Sequence, residues 1–313
     1  MRAARVKGTV AALADLPEPA AAEGEVVVEI EAAGLSPLDV QIVEGRFPAR
    51  PPVPFTPGTD GCGTILAGDP ERRGERVWIR GAGVGITRDG CWAERARVPL
   101  AAIHPLGATV DPAVAAAFFV PCSTAWQALF GIGGLEPGGR VAIRGAYGLV
   151  GSVATQLALA AGAGEVIAIV GSAGREDAAP RGATVVVAPD AAALAELAGR
   201  DVDILVDTVG GEGLAAAIPM LAPGGKVVVV GYVAGTSTTL DLVGLLVHDV
   251  SIHALNGMNR EPSSLPQAAR WLDEIDSGRL TLPLTPFRFA QLDEAIARVR
   301  VSPSPGRVVL TMR

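Results

Sequence analysis

Cysteine is scarce in this 313-residue chain: Cys62, Cys91 and Cys122 are the only three, and they are widely spaced. They form neither a CxxC pair nor an even disulfide framework, so a stapled secreted scaffold is excluded and a reducing cytoplasm fits best. Histidine is as sparse, with His104, His248 and His253 at no spacing that metal ligands adopt. Aromatic residues make up only 4% of the chain, whereas glycine alone counts 39, so close backbone packing replaces a bulky aromatic core. Positive charge is also short: 26 Lys and Arg against 33 Asp and Glu give a net charge of -7. Without a dense basic stripe, nucleic-acid binding is not expected. No apolar run approaches the ~20 residues of a membrane span. The first twenty residues, which include Asp15 and Glu18, lack the apolar run of a signal peptide. The expectation is a soluble cytoplasmic protein.

What is present is ample core material, with 49% hydrophobic and 19% charged residues. The length suggests two domains, at roughly 100–200 residues each. The first third reads as short β-segments broken by turns: residues 25–31, 63–67, 76–80 and 93–98 have strand composition. The proline-rich stretch 48–57 is expected to be irregular. In the middle, the β-branched runs 141–144, 165–170, 184–188, 203–207 and 226–230 alternate with helical patterns. Val150, Val153, Ala154 and Leu157 recur at i, i+3, i+4 and i+7, one apolar helix face. Further helices are expected at 191–198 and 214–221. Strands alternating with helices imply βαβ crossovers and a parallel sheet covered on both faces. The tail brings amphipathic helices at 267–275 and 292–299 and a last strand in GRVVLTM that could return to the first domain.

The segment PGGRVAIRGAYGLVG, residues 137–151, runs from turn to strand to glycine-rich loop to amphipathic helix. In that context Gly145, Gly148 and Gly151 have mechanical roles. The first permits a tight turn, the second lets backbone approach a pyrophosphate, and the third lets helix and strand pack. The helix N-terminus then faces the anion. The spacing is GxxGxxG, offset from the usual GxGxxG. An acid about 20 residues on normally holds the ribose 2′-hydroxyl of NAD. Here Gly171 and Ser172 stand there, with Arg175 close by. A guanidinium in place of a carboxylate suits a 2′-phosphate, so NADPH is the expected cofactor.

AAGLSPLD, PFTPGTDGCGTI, STAWQAL, GAYGLVG, DTVGG, LAPGGKVVVVG and the closing GRVVL occur in this order across the chain. They resemble the quinone oxidoreductase branch of the medium-chain dehydrogenase/reductase superfamily. The resemblance implies an α/β protein: a Rossmann doubly wound parallel sheet plus a GroES-like, mainly antiparallel β catalytic domain. It implies a catalytic domain of residues 1–113 and 257–313, a Rossmann domain of residues 114–256, and an active site in the cleft between them. Gly171, Ser172 and Arg175 match the family's 2′-phosphate pocket, Thr124 a threonine near the nicotinamide, and Gly231 the strand end beneath it. Zinc-dependent relatives carry a Cys at Ser36, a His-Glu pair at Thr59-Asp60 and another Cys near Val120, so no metal is expected. Family members often pair the edge of the Rossmann sheet across a homodimer, which is the partner expected here.

Without a Lewis acid, reduction of a quinone or an activated C=C by hydride from NADPH is the expected chemistry, the protein orienting donor and acceptor. An enoyl thioester or another biosynthetic intermediate is the alternative acceptor. A non-enzymatic NADPH-binding role is the second alternative. Ser36 and Tyr232 are the candidate catalytic donors; Ser36 could equally cap the turn before Pro37, and Tyr232 could pack at a domain interface. Tyr147, Leu149 and Val150 in the glycine loop, together with Asn256 after the sixth strand, join the expected cofactor contacts. Phe47 and Cys122 are assigned to the substrate pocket. Many quinone reductases have Asn at the position of Ser36 and Tyr at that of Phe47, which puts the quinone itself in question. Asp39 has the position of a helix N-cap, and Asp60 reads as structural.

Overall fold

The β-branched runs become strands, and the glycines and prolines between them become turns. The computed structural model describes residues 1–173, 180–301 and 306–312. In chain order the first elements are β1 (Arg2–Lys7), β2 (Val10–Asp15), β3 (Glu25–Leu35), α1 (Pro37–Val43), β4 (Asp60–Ala67), β5 (Arg76–Arg80), β6 (Arg95–Pro99), β7 (Ile103–Pro105) and α2 (Pro112–Ala115). There follow α3 (Phe119–Trp126), β8 (Arg140–Arg144), α4 (Leu149–Ala160), β9 (Glu165–Val170), β10 (Thr184–Val187), α5 (Ala191–Ala195), β11 (Val202–Asp207), α6 (Gly213–Ala217) and β12 (Leu221–Val229). The chain closes with α7 (Leu242–His248), β13 (Ser251–Ala254), α8 (Gly257–Ser264), α9 (Ala268–Asp276), β14 (Leu284–Arg288), α10 (Leu292–Arg300) and β15 (Arg307–Thr311). Two compact units result, Met1–Phe119 with Leu282–Arg313, and Val120–Thr281.

The first unit is a seven-stranded sheet in the order β14-β15-β3-β4-β5-β7, with β6 also paired to β3, beside the hairpin β1-β2. Its ladders are antiparallel except for β14 with β15, so the closing strand does return to the first unit. The core gathers Val28, Ile30, Ile65, Ile79, Trp92, Phe289 and Leu310. Full burial of side chains of this size contributes about 1.5–3 kcal/mol each. Trp92 does not leave its indole N–H idle there, because Nε1 donates to the Gly34 carbonyl at 2.9 Å. The N-terminal hairpin was not foreseen; Gly8, at φ +66°, makes its turn.

The second unit is a six-stranded sheet ordered β10-β9-β8-β11-β12-β13, parallel throughout. This is the doubly wound order, whose direction reverses between β8 and β11. The central strands are buried on both faces: Val141, Ala142 and Ile143 of β8 and Leu205 and Val206 of β11 have no exposed surface. That is why they read as continuous apolar runs and not as alternating ones. Two helices are shorter than their patterns suggest. The 191–198 pattern ends as helix at Ala195. The 214–221 pattern ends at Ala217, where a 3-10 turn through Pro219 leads into β12; proline has no N–H with which to continue the helix. Residues 257–281, assigned above to the catalytic domain, pack with this second unit instead. Hydrogen bonds fasten α8 there, from Ser123 of α3 to Ser264 at 2.6 Å and from Nε2 of Gln127, which directly follows α3, to Ser263 Oγ at 2.6 Å.

Candidate functional site

The carboxyl ends of β8 and β11 meet at the point where the sheet order reverses, the place where open α/β sheets bind ligands. Gly145 leaves β8 with φ +81°, and a Cβ at this position would overlap the Thr208 hydroxyl. Gly148 is the N-cap of α4, and no side chain caps the helix. A Cβ on Gly151 would overlap the Gly145 carbonyl, so the third glycine is what lets helix and loop close on each other. Tyr147, Gly148, Leu149 and Val150 are half-buried around this turn. The cradle therefore fits a bound phosphate: backbone is approachable because side chains are missing, and first-turn amides are left without a side-chain acceptor.

Beneath the loop lies a buried ion pair that the sequence reading missed. Arg144 ends β8, and its Nη1 donates to Asp207 Oδ2 of β11 at 2.8 Å and to the Gly210 carbonyl at 2.9 Å. Asp207 is fully buried and also accepts from the backbone N–H groups of Val209 at 2.7 Å and Gly210 at 2.9 Å. Thr208 Oγ1 donates back to the Arg144 carbonyl at 2.8 Å. The 207–211 turn is thus tied to the end of β8, right where the glycine loop starts. The available signal was a charged residue ending each of two apolar runs, VAIR and DILVD.

The other expected cofactor residues cluster at the same ends of the sheet. Gly171 and Ser172 follow β9 and are exposed, with no carboxylate among residues 171–173. Arg175 lies outside the described residues. Gly231 follows β12, its N–H donating to the Asp207 carbonyl at 3.2 Å; a Cβ there would overlap the carbonyl of Thr208. Thr124 is half-buried on α3, and its hydroxyl would lie 3.5 Å from a Cβ on Gly257. Asn256 is the N-cap of α8, its Oδ1 accepting from Asn259 N at 3.4 Å, and it lines an open cavity of about 570 Å³. Tyr232, next after Gly231, is 55% exposed.

The candidates outside these sheet ends have structural surroundings. Ser36 is the N-cap of α1; its hydroxyl donates to Asp39 Oδ2 at 2.5 Å and accepts from Asp39 N at 3.3 Å. Ser36, and not Asp39, is therefore the cap, with Asp39 as the reciprocal N3 partner of a capping box. Asp39 also accepts from Thr59 N at 2.9 Å. Phe47 packs on the core of the first unit. Cys122 is completely buried, and burial pushes its thiol far above the ordinary range, so it packs and does not react. Cys62 is pushed up to about 12 for the same reason. Asp60 is held by Arg80 at 3.1 Å and Arg307 at 2.5 Å. Two guanidiniums thus share the one carboxylate. Among the described residues no group of three His, Cys, Asp or Glu stands close enough to hold a metal. Nor is any helix among them long and apolar enough to cross a membrane.

Known proteins share this architecture. Residues 22–108 match the family model of the alcohol dehydrogenase GroES-like domain, and residues 150–274 that of the zinc-binding dehydrogenase. The human synaptic vesicle membrane protein VAT-1 homolog is 30% identical over 221 residues, covering 68% of this chain and 55% of that protein. The chain thus spans about half the length of the vesicle-protein relatives that it matches. Mouse quinone oxidoreductase is 30% identical over 232 residues, covering 69% of this chain and 67% of the relative. The quinone oxidoreductase of Thermus thermophilus, solved also as a complex with NADPH, superposes with a TM-score of 0.79 at 27% identity over 100% of both chains. Two family models in the expected order, a relative matched over two thirds of its length and a shared fold lead to one conclusion: this chain belongs to the medium-chain dehydrogenase/reductase superfamily, among the quinone oxidoreductase-like proteins.

Proposed function

We propose that the chain is an NADPH-dependent reductase that transfers hydride to a quinone or an activated C=C bond without a metal. The observation that carries this reading is the glycine cradle at the switch point, where Gly145, Gly148 and Gly151 strip side chains from the start of α4. Gly145, Tyr147, Gly148, Leu149 and Val150 would hold the pyrophosphate. Gly171 and Ser172 would receive the adenosine ribose, with Arg175 as the partner of a 2′-phosphate. Thr124, Gly231 and Asn256 would face the nicotinamide. When bound, NADPH supplies the hydride. The protein's own contribution is to fix the turns that orient donor and acceptor: Arg144 and Asp207 hold the 207–211 turn against the loop. Tyr232 is exposed enough to offer its hydroxyl to an acceptor. Ser36 can do so only by giving up its bond to Asp39.

The proposal extends to a homodimer in the cytoplasm. Strand β13 is an exposed sheet edge, and α7 beside it exposes Leu242, Val243, Leu246 and Val247. A second copy covering this face would hide both the open edge and the apolar helix.

Quenching of intrinsic fluorescence by NADPH and NADH tests the cofactor reading. NADPH should bind more tightly, and Gly151→Val should lower its affinity about tenfold or more, because the loop loses at least one backbone hydrogen bond to an anion. Turnover of a naphthoquinone and of an α,β-unsaturated ketone then tests the chemistry. A preference for NADH removes the 2′-phosphate argument, and binding of neither nucleotide removes the reductase.

A further inference from the structure

The cavity at the carboxyl end of β13 is lined by Ala254, Asn256, Asn259, Arg260, Pro262 and Ser263. No carboxylate is among them. Arg140, Arg144 and Arg270 of the same unit each hold a carboxylate within 2.8 Å. The guanidinium of Arg260 has no ion pair among the described residues. Its backbone, by contrast, is anchored, since the buried amide of Gln127 donates to the Arg260 carbonyl at 3.2 Å and to Ser263 Oγ at 2.6 Å. Asn256 lines the same cavity and accepts through Oδ1 from Asn259 N, while its amide N–H groups make no hydrogen bond among the described residues. A fork of guanidinium donors beside two carboxamides, with no acid to compete, is the chemistry that recognises a carboxylate or a phosphate oxygen. The cavity also lies at the strand ends of the second half of the doubly wound sheet, where this fold places ligands.

We propose that this cavity is an anion subsite for the acceptor, with Arg260 as its specificity-determining residue. Resting on the reductase reading, this narrows the acceptor to enones that carry a carboxylate or a phosphate-bearing carrier. Neutral quinones would offer the exposed guanidinium no charge to pair with.

The test is isothermal titration of the whole protein in the presence of NADP⁺, so that nothing turns over. One pair of probes is trans-4-oxo-2-pentenoate and its methyl ester. The other is crotonyl-coenzyme A and the crotonyl thioester of N-acetylcysteamine. The anionic member of at least one pair should bind about three- to fivefold more tightly than its neutral partner, the weight of an ion pair at an exposed site. Arg260→Gln should abolish that ratio while the neutral members and NADP⁺ bind as before, and Arg260→Lys should restore part of it. A preference in the first pair identifies a carboxylate, in the second a phosphate. Equal binding within both pairs in the wild type, or a preference that survives Arg260→Gln, overturns the proposal. If the preference holds and depends on Arg260, but NADPH reduces none of the four probes, the anion subsite stands and the reductase reading falls.

Discussion

Asp60, at the start of β4, sits between two guanidiniums, Arg80 of β5 at 3.1 Å and Arg307 of β15 at 2.5 Å. Asp207, at the end of β11, has one guanidinium, Arg144, and completes its shell with the backbone N–H groups of Val209 and Gly210. Both carboxylates are buried, yet the partners differ in origin. Those of Asp60 come from 20 and 247 residues away in sequence, so the charge network joins the returning C-terminal strand to the middle of the first sheet. Strand β3 lies between, and Gly34 makes room: a Cβ there would press on the Arg307 guanidinium at 3.0 Å and on Asp60 Cβ at 3.3 Å. Asp207 instead takes two of its bonds from its own turn, and the arginine fastens that turn to the glycine loop. One buried pair closes a fold, and the other shapes the turn beside the glycine loop. A buried ion pair is no sign of net stability by itself, because desolvation offsets much of the attraction. What it does impose is a large loss when one partner is removed.

The largest effect is therefore expected for Asp60→Ala, which removes the carboxylate that two buried guanidiniums share. Unfolding in guanidinium chloride should show a loss of about 3–5 kcal/mol. A loss below about 1 kcal/mol would mean that solvent already reaches the pair, and the contrast with Asp207 would collapse. Asp207→Ala should lose less, about 2–4 kcal/mol, because Arg144 keeps the Gly210 carbonyl as an acceptor. This variant should also bind NADPH more weakly, since the 207–211 turn is released beside the loop. A stability loss equal to that of Asp60→Ala with unchanged nucleotide affinity would make the two sites alike.

The smallest effect concerns pH and the first unit only. His104 stacks on Trp78 with ring centroids 4.0 Å apart, and burial holds its pKa below the ordinary 6.5. The unfolded chain then binds the extra proton first. The contribution of His104 is fully present above pH 6.5 and is lost as pH falls through the lowered folded value. His104→Phe, which keeps a stacking ring, should flatten the acid side of the stability profile, read as urea midpoints at about pH 7.5 and about pH 5.5. An unchanged slope would assign the acid sensitivity to carboxylates instead.

The parallel strands, the glycine loop and α4 were legible because each is a local pattern: β-branched runs, turn residues and a 3.6-residue period. The role of Ser36 was legible only as two alternatives, and the hydrogen bond to Asp39 placed it as a helix cap. Cys122 read as a substrate contact from its distance to Thr124 in sequence, but full burial on α3 makes it a packing residue. Arg260 drew no attention, since nothing in MNREPSS reveals which side chains share a cavity.

The sequence by itself determined the class of fold and the dinucleotide loop, because strand period, helix period and glycine backbone freedom act over a few residues. Only the tertiary structure decided which charges are paired. Arg144 and Asp207 are 63 residues apart, and Asp60 and Arg307 are 247 apart. Partners at such separations are set by strand order and register, which no local pattern in the sequence reports.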